Sequence, residues 1–184
     1  MRRIGLLTTA LAVMVSGAVL AQGAVKEWAE FSDRTEHFTV NFPGEPEVKA
    51  IEYKTAKGTT LPAKVFSAED RRGRYLITVV NYTSAPAEQA TAREEAAAME
   101  RKKGAVKYDG QNDIDRVTTQ RITVETNGRL ILSEMMIHQG RLYISEAEVG
   151  ANAPPPAQFQ ASLQVIDDDG VRIRYERDGV TRIR

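Results

Sequence analysis

The chain has 184 residues, with 25 basic side chains balanced by 25 acidic ones, two histidines and no cysteine. A nucleic-acid binder is ordinarily basic, so that class recedes. The lack of cysteine excludes disulfides, thiol catalysis and an acylated anchoring cysteine.

Residues 1–21 read as a secretory leader. Arg2 and Arg3 give a positive start, Ile4 to Val15 a short apolar run, and Val19-Leu20-Ala21 a cleavage point before Gln22. The run is shorter than the roughly 20 apolar residues that span a bilayer, and no second candidate follows. The expected product is therefore soluble, periplasmic or secreted after cleavage near Ala21, with no transmembrane anchor. Cleavage removes two arginines and no acid, which takes the net charge from zero to −2. The expected organisation is a leader 1–21, a linker 22–27, a single domain 28–176 and a tail or short strand 177–184.

In chain order, His37 to Phe42 alternates apolar Phe38, Val40 and Phe42 with polar His37, Thr39 and Asn41, the pattern of a strand with one dry face. Pro43-Gly44 ends it. Strands Glu47 to Thr55 and Leu61 to Ala68 flank a hairpin at Lys57-Gly58. Pro62 places the second of them at a sheet edge or delays its start. Arg71-Arg72-Gly73 turns into Tyr75 to Tyr82, apolar on both faces and hence a covered central strand. Pro86 to Lys103, rich in Ala and Glu, is the strongest helix, with Gly104 as a left-handed cap. Val117 to Thr126, Leu130 to Ile137 and Leu142 to Val149 form a meander through Asn127-Gly128 and Gln139-Gly140. Pro156 to Gln164 reads as a short helix with Phe159 and Leu163 on one face, and Val171 to Tyr175 as a last strand. Asp178-Gly179 is placed to turn Val180 to Ile183 back against it. The fold expected is α+β, a mainly antiparallel sheet covered by one long and one short helix.

Trp28 and Phe31, the segment Phe38-Thr39-Val40-Asn41-Phe42-Pro43-Gly44-Glu45-Pro46 and the closing Phe159-Gln160-Ala161-Ser162-Leu163 resemble exported, uncharacterised bacterial domains similar to the Mog1/PsbP-like α/β/α sandwich. The resemblance runs from Trp28 to about Tyr175. It implies an accessory or partner-binding module and brings no catalytic motif.

The chemistry on offer is sparse. His37 and His138 are the only histidines, neither lies in a recognisable motif, and both read as solvated or structural. Asp109, Asp113 and Asp115, and the run Asp167 to Asp169, have oxygen ligands but no EF-hand spacing, so they read as turns. No catalytic residue, metal or cofactor is assigned. Trp28, Phe31 and Phe38 read as core, and the basic Arg71 to Arg74 as an ordinary charged hairpin tip. Five arginines stand between Val171 and Arg184, and strand phase sets Arg172 and Arg174 on one face, with Val171, Ile173 and Tyr175 on the other. Arg172 and Arg174 are thus the candidate binding residues, for an anionic surface or an envelope protein. Protection of a sheet edge by charge accounts for the same pair. The function expected is a non-catalytic binding or accessory module of the envelope, the alternative being a small hydrolase assembled from dispersed residues.

Overall fold

The structure is a computed structural model that describes residues 27–176 and 180–183. The leader 1–21 and the Asp178-Gly179 turn lie outside the described residues.

Twelve strands are described: β1 (Trp28–Asp33), β2 (Phe38–Pro43), β3 (Glu47–Lys54), β4 (Thr60–Glu69), β5 (Gly73–Asn81), β6 (Ala105–Ile114), β7 (Val117–Thr126), β8 (Arg129–His138), β9 (Arg141–Gly150), β10 (Gln164–Val165), β11 (Arg174–Tyr175) and β12 (Arg182–Ile183). Helix α1 (Gln89–Arg101) follows a 3-10 turn at Pro86–Glu88, and α2 is Ala157–Gln160. Seven strands form one antiparallel sheet in the order β3-β4-β5-β9-β8-β7-β6, and β1-β2-β10 form a smaller one.

This corrects the α+β expectation. Strands hold 56% of the structure and helices 13%, so the domain is mainly β. The second face of the large sheet is covered chiefly by a sheet, not by a helix. Phe38, Val40 and Phe42 of β2 pack with Phe66, Tyr75, Ile77 and Tyr143 of the large sheet into one buried cluster. The short helix shrinks to the four residues of α2, whose Phe159 enters the same cluster. On the opposite face Ala92, Ala96 and Ala97 of α1 meet Val80, Ile122, Val124, Met135 and Leu142. Alanines on the buried side let the helix lie close to the strands, and their small side chains cost little entropy on burial.

Pairing confirms several local readings. Asn127 and Gly128, at φ 49 and 72, and Gln139 and Gly140, at φ 44 and 77, adopt the left-handed pairs of two-residue hairpins. β5 is internal, with Tyr75, Ile77 and Val79 in one cluster and Val80 in the other. β4, however, is not an edge strand. Pro62 pairs with Glu52 of β3 and precedes the β5 pairing, which starts at Ala63, so its missing donor falls where only one neighbour is present. His37 lies in the turn before β2, at φ 57, and not in the strand. Thr39, expected on a wet face, is buried and donates its hydroxyl to Phe31 O at 2.8 Å.

Gly104 is not the left-handed cap the helix pattern suggests, since it is not among the positive-φ glycines. Its need for a missing side chain comes from packing: a Cβ there would collide with the backbone oxygen of Glu125 on β7. Gly104→Ala is therefore expected to cost about 1–3 kcal/mol through forced backbone movement, a fall in Tm of about 2–4 °C per kcal/mol. Differential scanning calorimetry reads it, and an unchanged Tm contradicts the packing reason.

Candidate functional site

The C-terminal segment builds the site from a turn. Asp167 accepts the backbone N–H of Val171 at 2.8 Å and of Asp169 at 3.1 Å, and Gly170 sits at φ 81. The run Asp167 to Asp169 is thus a side-chain-closed turn, as read from the sequence. Leaving it, Arg172 bridges back to Ile166, and buried Ile173 donates its N–H to Val165 O at 2.8 Å. The regular strand begins only at Arg174, where β11 pairs antiparallel with β12.

Arg172 and Arg174 do point away from buried Ile173, but the expected alternation breaks at Val171. It belongs to the turn and is 58% exposed. Arg172 makes a two-pronged ion pair with Asp115, Nε and Nη2 each 2.6 Å from a carboxylate oxygen. Arg174 is 57% exposed and only 4.0 Å from the same carboxylate. Arg182 of β12, which sequence reasoning did not single out, joins them and pairs with Asp167. That pairing, and the Val171 N–H, hold the Asp167 carboxyl below its ordinary range. Together Val171, Arg172, Arg174, Arg182 and Ile183 line an open groove of about 560 Å³. Three guanidinium groups face two carboxylates there, and Arg174 is the one least engaged. Arg182 could have been found in the sequence from the turn expected to fold Val180 to Ile183 back on Arg174.

The two histidines have different partners. His138 is buried, with Nε2 2.9 Å from the Tyr175 hydroxyl and Nδ1 without a partner. Burial, then the positive fields of His37, Arg141 and Arg182, depress its pKa to about 4, so the ring is neutral at pH 7. His37 Nε2 lies 3.7 Å from the exposed Asp168.

Two buried carboxylates went unread. Glu134 of β8 accepts from Thr119 Oγ1 at 2.6 Å, Arg121 Nη2 at 2.8 Å and Asn112 Nδ2 at 3.1 Å. Glu100 of α1 accepts from Ser133 Oγ at 2.8 Å and from Lys103 at 2.6 Å, and Lys103 reaches Glu146 at 2.5 Å. Burial and then Glu146 raise the Glu100 carboxyl, against the pull of Lys103. The signal for Glu134 was present: it is an acid at an inward phase of the apolar run Leu130 to Ile137. Both groups are spent on their neighbours and tie strands and helix together. Asp109 is likewise held, by Arg101 at 2.7 Å and by Gln120. Among the described residues no three His, Asp or Glu side chains gather as metal ligands.

The geometry defines a mainly β domain carrying an arginine-lined groove on its C-terminal hairpin. No family model and no curated protein matches the chain by sequence. Among solved structures, the solution structure of cyanobacterial PsbP (CyanoP) from Synechocystis sp. PCC 6803 is similar, with a TM-score of 0.47 and 12% identity over 83% of this chain and 98% of that one. Among the described residues no helix is long and apolar enough to cross a membrane.

Proposed function

We propose that this is an exported binding or accessory protein of the cell envelope, with no catalytic chemistry of its own, that docks on an anionic surface through Arg172, Arg174 and Arg182. The observation that carries the reading is the convergence of these three cations, from two stretches of chain, on one groove edged by exposed Val171 and Ile183. Guanidinium groups suit carboxylate or phosphate, and apolar rims add contact area once the charges have engaged. The leader-like residues 1–21 support delivery to the periplasm or beyond.

Arg172 serves the fold through Asp115, so Arg174 is the residue to test. Retention on phosphatidylglycerol vesicles is expected to fall with added salt, as exposed charges are screened within about 10 Å at 0.1 M. Arg174→Glu is expected to weaken it about thirtyfold, at roughly 1 kcal/mol per basic residue lost near such a surface and as much again for the reversed charge. Its Tm should match the parent. Arg172→Gln, by contrast, is expected to lower Tm as well. Wild-type retention by a folded Arg174→Glu protein removes the groove as the docking surface, and parallel runs on heparin and on phosphatidylcholine vesicles separate a polymer and a neutral membrane from the proposed target.

A further inference from the structure

A second cavity, of about 310 Å³, lies between β1, the β4–β5 turn and the loop before α2, and shares no residue with the arginine groove. This size is at the lower end of small-molecule sites. Its walls include Trp28, Tyr75 and the run Pro154-Pro155-Pro156, and Arg72 adds one cation. The sequence assigned no role to the Arg71 to Arg74 turn and treated Trp28 as core; the fold brings them to one opening.

Each wall is fixed before any ligand arrives. Trp28 is held in the β1–β2 ladder opposite Pro43, with its ring 4.8 Å from that of Tyr75 at an interplanar angle of 73°. The prolines have locked φ and present no N–H, so that wall is stiff and without donors. The Tyr75 hydroxyl is already given to Asp70 at 3.2 Å. Asp70 also accepts the backbone N–H groups of Arg72 at 2.9 Å and Gly73 at 3.1 Å. The Arg72 Nε is 3.6 Å from that carboxylate, beyond hydrogen-bond distance, and its side chain is more than half exposed. The cavity therefore combines a rigid aromatic and proline wall with one cation whose charge is only loosely matched. We propose that it binds small carboxylates bearing one aromatic ring or a short acyl chain, the apolar body lying against Trp28 and the prolines and the carboxylate on Arg72.

Trp28 is the single tryptophan of the chain, so its emission reports on this cavity directly. Titration of the purified protein with 4-phenylbutyrate is expected to change the emission saturably. The uncharged 4-phenylbutanol should bind about tenfold more weakly, the cost of a charge-assisted hydrogen bond lost. Arg72→Gln should erase that difference while keeping the affinity for the alcohol and the Tm, and Arg74→Gln, which lies outside the cavity, should behave as the parent. An emission change that does not saturate, equal affinities for the two probes in the parent, or an undiminished carboxylate preference in Arg72→Gln would overturn the proposal. Vesicle retention through Arg174 stands or falls independently of these outcomes.

Discussion

Phe38→Ala is expected to destabilise the domain by about 3–5 kcal/mol, the range for a large aromatic removed from a packed core. Phe38 is fully buried on β2, the middle strand of the small sheet, and with Val40 and Phe42 joins that sheet to the large one. Its ring lies edge-on to Phe66 at 4.9 Å, with Phe31 at 6.1 Å and Tyr143 at 6.4 Å. Truncation leaves a void bounded by stiff rings on both sheets, which collapse poorly around it. Against a typical total of about 5–15 kcal/mol, this is a large share of the stability. The urea midpoint should fall with little change in slope, the mark of lost stability without a change in the surface exposed. Phe31→Ala provides the contrast, because Phe31 is only half-buried on the outer strand β1 and should cost markedly less. Equal losses in the two variants would mean that the deeper burial of Phe38 does not set the cost, since Phe31 also reaches Phe66 across the sheets at 5.7 Å.

What could be read from the sequence follows from where the determinants lie. β2 was legible because its alternation and its Pro-Gly stop are local, and so were the hairpins at Asn127-Gly128 and Gln139-Gly140. β6 was not. One phase is Lys107, Asp109, Gln111 and Asp113, and the other, Val106, Tyr108, Gly110, Asn112 and Ile114, loses its apolar run in the middle, as fits an edge strand exposed over most of its length. The turn that joins it to β7 places Asp115 and Arg116 at φ 51 and 68, where glycine or asparagine would have given the hairpin away. β1 was recognised by its aromatics but not as a strand, and without it the small sheet could not be foreseen. The same limit separates the residues of the groove. Arg172 and Arg174 are visible as neighbours in strand phase, whereas the Asp115 that holds Arg172 is 57 residues away in the chain. No local pattern encodes that partner. The burial of His138 beneath Tyr175, 37 residues on, was hidden in the same way.

That burial leads to the second large effect. An unfolded chain protonates His138 near pH 6.5, while the folded one resists until about pH 4. Between those values the unfolded state binds more protons, so stability is complete above about pH 6.5, declines as the pH falls and is lost from this source below about pH 4. The two values bracket a contribution of about 3 kcal/mol, at 1.36 kcal/mol for each pH unit. The structural reason is plain: a charged imidazole would carry N–H groups on both nitrogens, but Nδ1 has no acceptor, and His37, Arg141 and Arg182 oppose a further positive charge. Other groups titrate nearby with different signatures. Asp109 and Asp167 are held below their ordinary range and contribute acid sensitivity only at lower pH. Glu100, raised above its ordinary range, acts in the opposite direction, gaining stability as the pH falls. The parent profile is therefore a sum, and His138→Gln isolates one component. Urea midpoints measured from pH 7.5 to 4.0 should decline more steeply in the parent than in His138→Gln, whatever the variant's stability at pH 7.5. Parallel profiles would show that His138 does not resist protonation in the folded protein.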